Sequence, residues 1–349
     1  MKIDKTRSFT GVDIGTSRLV AARNPNGGLQ LDMTLNAFIE VPDMPATVNS
    51  LKRQGIRFLR HGGVLLAYGQ AATVFAELFH AELRRPMRSG CLNLQEPAST
   101  LVLNRIVGEL VGEATAKPAV VGFSMPSAGL HAEGVSKASL TNHRSALELM
   151  FRNLGYTPYA VNEAEALVYS ELEDSGYSGV AISFGAGLTN VAMTYLSVPV
   201  LDFSINRGGD DVDSAAAEVL GEKAARVRLY KENNFDLLGT SDDQMSRSIK
   251  VFYEELIQHT IGSLATVLVS STDVPRLDRP IPLVIGGGTT MPAGFKKIFE
   301  REIRKMDWPF PISEVRQAKD PLNAVARGVL RYVEVNYGQN EEEEAAAAH

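Results

Sequence analysis

Two short glycine turns carry the groups in this sequence best suited to holding a phosphate. Residues 13–17 read DIGTS and residues 183–189 read SFGAGLT. A turn that lacks a Cβ lets backbone N–H groups approach phosphate oxygens closely. In the first turn Gly15 supplies that freedom, and Thr16 and Ser17 add hydroxyl donors. In the second, Gly185, Ala186 and Gly187 form the bend after Ser183. Asp13 ends the run before the first turn. A carboxylate beside a phosphate repels it unless a cation lies between them, so Asp13 implies Mg2+ held through water. A third element, LVIGGGTTMP, places Gly286, Gly287 and Gly288 between an apolar run and a helix. Three consecutive glycines cost backbone entropy, which close approach to a flat ring or a phosphate would justify. Taken alone, the first turn reads rather as an ordinary hairpin, whereas in the third element close approach is favoured over a loose connection. The second turn is what strengthens the case.

The elements that position these turns follow from the hydrophobic pattern. Residues 8–14 and 18–23 read as a strand pair across the first turn, and 179–184 and 189–195 as a pair across the second, followed by a strand at 198–205. Each half therefore opens with strand, glycine turn, strand, which is a signature of internal duplication. Residues 119–123 (AVVGF) are wholly apolar, as in a parallel strand buried on both faces. Residues 159–162 and 282–285 also read as strands. Helical spacing marks 71–83, 99–115, 143–154, 163–172, 211–230, 243–270, 293–305 and 321–337. LQLDMTLNAFIEV reads as strand, and 42–69 as a small mixed insertion.

Composition sets the class. The 349 residues are 44% hydrophobic and 22% charged, enough for a full core in two lobes. Of the formal charge of −6, four negatives sit at Glu341 to Glu344, in a low-complexity tail expected to be disordered. The body is then nearly neutral, and direct nucleic-acid binding is not indicated. Cys91 is the single cysteine, so one chain can form neither a disulfide framework nor a cysteine metal site. No two of the six histidines are spaced i, i+4. With no apolar leader and no run of about 18 apolar residues, the expected location is cytoplasmic. Phe75, Leu78 and Phe79 form a stripe that fits core packing better than membrane docking.

Eight segments in order resemble the actin-like ATPases, and bacterial actins of the MreB and MamK type above all. They are GVDIGTSRLV, RRPMRSGCLN, GFSMPS, VNEAEALVYSEL, AISFGAGLTNVAM, NRGGDDVDSA, LVIGGGTTMP and DPLNAVARGVLRY. The resemblance spans nearly the whole chain. It implies an α/β actin/heat-shock-chaperone ATPase fold, with two related lobes of mixed five-stranded sheets flanked by helices and a nucleotide cleft between them. The first lobe core would comprise 1–38, 86–155 and 320–340, with an insertion at 39–85. The second would comprise 156–205 and 260–319, with an insertion at 206–259. Ligands would be ATP or ADP with Mg2+. Asp13 would hold the metal through water, and Gly15, Thr16 and Ser17 would bind phosphates. Ser183, Gly185, Ala186, Gly187, Gly209 and Asp210 would approach the phosphates from the second lobe. Gly286, Gly287, Gly288 and Thr289 would approach the α-phosphate and adenosine, with Glu222 near the adenosine-contacting helix. Glu163 would orient the attacking water. The partner implied is the chain itself in a homopolymeric filament of cytoskeletal, cell-shape type, with membrane-associated or morphogenetic proteins as further candidates.

The pattern breaks at the second turn. Relatives carry aspartates where this chain has Ser183 and Asn190, and proline where it has Ala164. Losing a carboxylate near the metal implies weak or slow ATP hydrolysis. If that loss limits turnover, Ser183→Asp raises it. Two functions stay open. One is a filament-forming ATP-binding protein. The other is a non-polymerising nucleotide-binding regulator or chaperone-like ATPase of the same superfamily.

Overall fold

A computed structural model describes residues 8–338 except 79–81, 117, 131–134, 241, 242, 273, 275, 276 and 278. The acidic tail and Phe79 lie outside the described residues. The chain forms two compact units. Unit one comprises residues 1–125, 137–161 and 329–349, and unit two 126–136 and 162–328.

Unit one starts with β1 (Ser8–Ile14), β2 (Arg18–Arg23) and β3 (Gln30–Leu35). Next come β4 (Phe38–Pro42), α1 (Pro45–Arg53), β5 (Phe58–His61), β6 (Val64–Tyr68) and α2 (Ala71–Leu78). The hairpin β7 (Met87–Arg88) and β8 (Cys91–Leu92) leads to α3 (Ser99–Val111), β9 (Ala119–Met125), α4 (Lys137–Asn153) and β10 (Thr157–Asn162). Its main sheet has the order β10-β9-β1-β2-β3, with β1 parallel to β9 and antiparallel to β2. Every residue of β9 is buried, as its apolar run requires. Val12, Val121 and Phe123 of this sheet pack with Leu103 and Ile106 of α3 and Leu147 and Phe151 of α4. Phe123 stacks on Phe151 at 5.4 Å between ring centres. The β4-β6-β5 sheet has its own core, in which Ile39, Leu65 and Ala67 meet Val48 and Leu51 of α1 and Phe75 of α2. Phe75 is thus a core residue.

Unit two runs α5 (Glu163–Glu171), β11 (Gly179–Phe184), β12 (Thr189–Tyr195), β13 (Val198–Ile205), α6 (Gly209–Leu220), α7 (Ala224–Asn234) and α8 (Gln244–Ser270). It continues with β14 (Ile281–Gly286), α9 (Phe295–Ile303) and β15 (Ile312–Gln317). The last helix, α10 (Ala324–Tyr337), belongs to unit two as far as Gly328 and to unit one from Val329. The sheet order is β13-β12-β11-β14-β15. Each unit therefore pairs its third, second and first strands in series and adds two later strands beyond the first. The duplication read from the two openings extends to the whole sheet order.

Three local readings change. The helix expected at 211–230 is two helices, because Gly221 ends α6 in the left-handed region at φ 65°. The run LQLDMTLNAFIEV is two strands, β3 and β4, that pair in different sheets. Residues 312–317 form an edge strand where no strand was expected.

His143 on α4 offers a test of this packing. It is 1% exposed, and its Nδ1 accepts from the Leu92 amide at 3.2 Å. Burial pushes its pKa from the ordinary 6.5 down to about 4. The unfolded chain binds this proton below 6.5 and the folded chain only below about 4. The associated stability is complete above 6.5 and is lost as pH falls through that window, by ~3 kcal/mol. Urea unfolding of wild type and His143→Gln across that window should show the wild type losing about that much more stability. Parallel curves would mean that His143 titrates as if exposed.

Candidate functional site

The two glycine turns are built alike. In unit one the Gly15 amide donates to the Arg18 carbonyl at 3.0 Å; in unit two the Gly185 amide donates to the Leu188 carbonyl at 2.9 Å. A Cβ on either glycine would meet that same carbonyl oxygen, at 2.7 Å and 2.9 Å. The tightness of each bend thus requires glycine. The amides next in each turn, of Thr16 and Ser17 and of Ala186 and Gly187, donate to no acceptor among the described residues. Successive N–H groups of this kind form an anion-binding concavity.

In unit one Ser124, at the end of β9, ties the turn to the sheet. Its hydroxyl donates to Asp13 Oδ1 at 2.8 Å and accepts from the Ile14 amide at 2.8 Å. Burial pushes the Asp13 carboxyl up to about 6, against the downward pull of Ser124. A carboxyl so desolvated regains its charge when a cation arrives, and one hard oxygen donor plus waters and phosphate oxygens is a donor set that suits Mg2+. Asn36 braces the other side of the turn, donating to the Gly15 carbonyl at 3.0 Å. Thr16 Oγ1 accepts from the Gly90 amide at 3.0 Å, which leaves the hydroxyl hydrogen for another acceptor.

In unit two three elements converge by backbone contact. The Gly209 and Asp210 amides at the start of α6 donate to the Gly185 and Ala186 carbonyls of the turn, at 3.0 and 2.8 Å. Thr289 Oγ1 donates to the Gly185 carbonyl at 2.8 Å. A Cβ on Gly208 would overlap the Ala186 carbonyl, and one on Gly287 (φ 90°) the Phe184 carbonyl. Gly286 ends β14 directly beside Ser183, its partner in the parallel register. The structure therefore brings together Ser183, Gly185, Ala186, Gly187, Gly209, Asp210, Gly286, Gly287, Gly288 and Thr289.

Glu163 joins this cluster from the first residue of α5. Asn162 caps that helix, its Oδ1 accepting from the Ala164 and Glu165 amides at 2.9 and 3.1 Å. Ser183 Oγ donates to Glu163 Oε1 at 2.8 Å, and Asn190 Nδ2 donates to Oε2 at 2.9 Å. Asn190 Oδ1 accepts from the Ser127 amide at 3.2 Å. Two residues further on, burial and the nearby Asp202 push the Glu165 carboxyl up to about 7.

Glu222 is not part of the cluster. It follows α6, whose 12 residues hold it about 18 Å from Gly209, and it pairs with Arg226 at 2.6 Å. The side chains that reach the start of α6 come from the next helix. Arg228 bonds Asp210 Oδ1 at 2.8 Å, and Lys231 Nζ bonds the Gly209 carbonyl at 3.1 Å. Both also hold the buried Asp213, at 3.2 and 2.6 Å. Neither basic residue was marked in the sequence, because α7 shows no apolar stripe to identify its inner face. No cluster of three or more metal-ligating side chains occurs among the described residues, and none of their helices is long and apolar enough to cross a membrane.

Comparison with known proteins agrees with this architecture. The sequence profile named Volactin matches residues 9–332. No curated protein matches the chain. Among solved structures, a MamK double helical filament is similar at TM-score 0.64 and 20% identity, covering 94% of this chain and 99% of that one. MreB5 of Spiroplasma citri bound to AMPPNP is similar at TM-score 0.70 and 16% identity, covering 98% and 100%. The ethanolamine utilization protein EutJ from Carboxydothermus hydrogenoformans follows at TM-score 0.54 and 15% identity, covering 93% and 89%. These likenesses show an actin-like fold.

Proposed function

The chain belongs to the Volactin family, and we propose that it is an ATP-binding, actin-like cytoskeletal protein that assembles with copies of itself into filaments and hydrolyses ATP slowly. The observation that carries this reading is the repeated turn, with its two pairs of amides that have no acceptor among the described residues. In unit one these are Thr16 and Ser17, and in unit two Ala186 and Gly187. Backbone donors already fixed in a tight bend bind phosphate without further ordering cost.

Roles follow from chemistry and placement. Thr16 and Ser17 add hydroxyls to the amides of their turn. Asp13 would hold Mg2+ through water, and the ion would supply charge neutralisation for the phosphates. Gly286, Gly287 and Gly288 keep the backbone bare where the nucleotide approaches unit two. Glu163, beside the second turn, orients the attacking water. Self-assembly draws support from the MamK filament, and the nucleotide from the MreB5 complex, each as a property of that protein. A cytoplasmic scaffold with a part in cell shape fits both.

The test is sedimentation with ATP, with ADP and without nucleotide, followed by electron microscopy of the pellet. Filaments that form with ATP and diminish without it are expected. Nucleotide binding with no assembly in any state would instead leave a non-polymerising regulator.

A further inference from the structure

We infer that Ser183 and Asn190 are positioning residues that hold the Glu163 carboxylate beside the β11–β12 turn by two neutral hydrogen bonds, in place of the carboxylates expected at their positions. The inference rests on the reading of Glu163 as the water-orienting group.

Ser183 and Asn190 face each other directly across the antiparallel β11–β12 pair. Opposed residues on one face of a sheet have Cβ atoms about 5 Å apart, close enough to act on one ligand. Both are 1% exposed. Each donates to a different oxygen of Glu163, at 2.8 and 2.9 Å. Each oxygen of the Glu163 carboxyl thus has a donor of its own fixed on it. Asn190 cannot rotate its amide without loss, because its Oδ1 already accepts from the Ser127 amide. The α5 backbone is pinned independently by the Asn162 cap, and Asn162 Nδ2 donates to Ser127 Oγ at 2.8 Å. Glu163 is therefore fixed from both ends. Its Oε1 lies 3.9 Å from where a Cβ on Gly185 would stand, which sets it against the phosphate-facing bend.

The paired substitution has a consequence that neither residue has alone. An aspartate at 183 or 190 would face Glu163 with an acceptor in place of a donor, and two carboxylates at that distance need a proton or a cation between them. With serine and asparagine there, Glu163 is the single negative charge of the trio and needs no second cation. On this inference Ser183→Asp lowers turnover, the opposite of the result expected if the lost carboxylate limits it.

Steady-state ATP hydrolysis by the full chain tests this with Ser183→Ala, Ser183→Thr, Ser183→Asp, Asn190→Asp and Glu163→Gln. Ser183→Ala, Ser183→Asp and Asn190→Asp should each lower kcat about tenfold or more, with KM for ATP within about twofold of wild type. Ser183→Thr, which keeps the hydroxyl, should restore most of kcat. A gain in kcat with Ser183→Asp would overturn the inference. So would unchanged kcat in Ser183→Ala and Asn190→Asp where Glu163→Gln is impaired. Should wild type turn over no faster than Glu163→Gln, the water-orienting role fails. The hold on Glu163 is then read by isotope-edited infrared spectroscopy, as the carboxylate band missing from Glu163→Gln. A shift of that band in Ser183→Ala supports the two-donor hold, and an identical band refutes it.

Discussion

Gly328→Ala should destabilise unit two by about 4 kcal/mol or more, where a glycine-to-alanine change within a helix ordinarily gains about 1 kcal/mol. The reversal of sign comes from packing. Gly328 sits on α10 where that helix passes against α5, and an added Cβ would overlap the carbonyl oxygen of Ala166 and lie 3.1 Å from its Cα. No side chain can rotate aside, because the obstacle is backbone, so one helix must shift. Forced shifts of this kind cost more than the overpacking of flexible side chains. The displaced helix is the one that starts at Asn162 and Glu163, so loss of the nucleotide response should accompany loss of stability. Gly262 on α8 is the control. A Cβ there meets nothing within 4 Å, and Gly262→Ala should stabilise by roughly 0.5–1 kcal/mol. Urea unfolding of the two variants against wild type decides the matter. A Gly328→Ala protein as stable as wild type would show that α5 and α10 do not approach so closely.

This contact shows why parts of the structure were legible and others not. DPLNAVARGVLRY could be read as a helix from its spacing, but the need for glycine at 328 arises from a partner 162 positions earlier in the chain. β9 and β14 were readable because strands with both faces covered become short, continuously apolar runs, and β1, β2, β11 and β12 because each pair brackets a glycine turn. β15 was not, since it lies at the sheet edge with only Val315 buried. The small β4-β6-β5 sheet was hidden by Pro42, Pro45 and the basic residues scattered between its strands. The break at Gly221 was masked by apolar residues that keep helical spacing across it, with Val212, Ala216 and Val227 all in one core.

The site divides in the same way. Glycines of the two turns announce themselves because backbone approach leaves a local signature. Asp13 was visible as a strand-end carboxylate, but its tether Ser124 lies 111 positions away and has no local mark. Ser183 and Asn190 stood out as departures from a pattern. That they compensate each other could be seen only once Glu163 was placed between them.

Removing the buried carboxylate of Asp213 should cost about 3–5 kcal/mol, enough to lower the melting temperature by roughly 10 °C. Asp213 is 1% exposed and meets Lys231 Nζ at 2.6 Å and Arg228 Nε at 3.2 Å. Asp213→Ala would leave Lys231, whose side chain is 10% exposed, with its charge uncompensated. The group is costly even when paired. Burial raises the Asp213 carboxyl above its usual range despite the opposing pull of Lys231 and Arg228. It follows that the pair stabilises less than its short distance suggests, and that removing both charges should hurt less than removing one. Asp213→Leu combined with Lys231→Met should recover most of the loss, since Lys231 already lies over the Tyr253 ring and its site tolerates an apolar chain. Recovery of stability need not recover function. Lys231 also holds the Gly209 carbonyl at the start of α6, where the Gly209 and Asp210 amides fix the β11–β12 turn. The double variant should therefore fold well yet gain less melting temperature from added ATP than wild type does. An Asp213→Ala protein within about 1 kcal/mol of wild type would show that Lys231 and Arg228 find other partners, and the turn would then owe its shape to the backbone contacts alone.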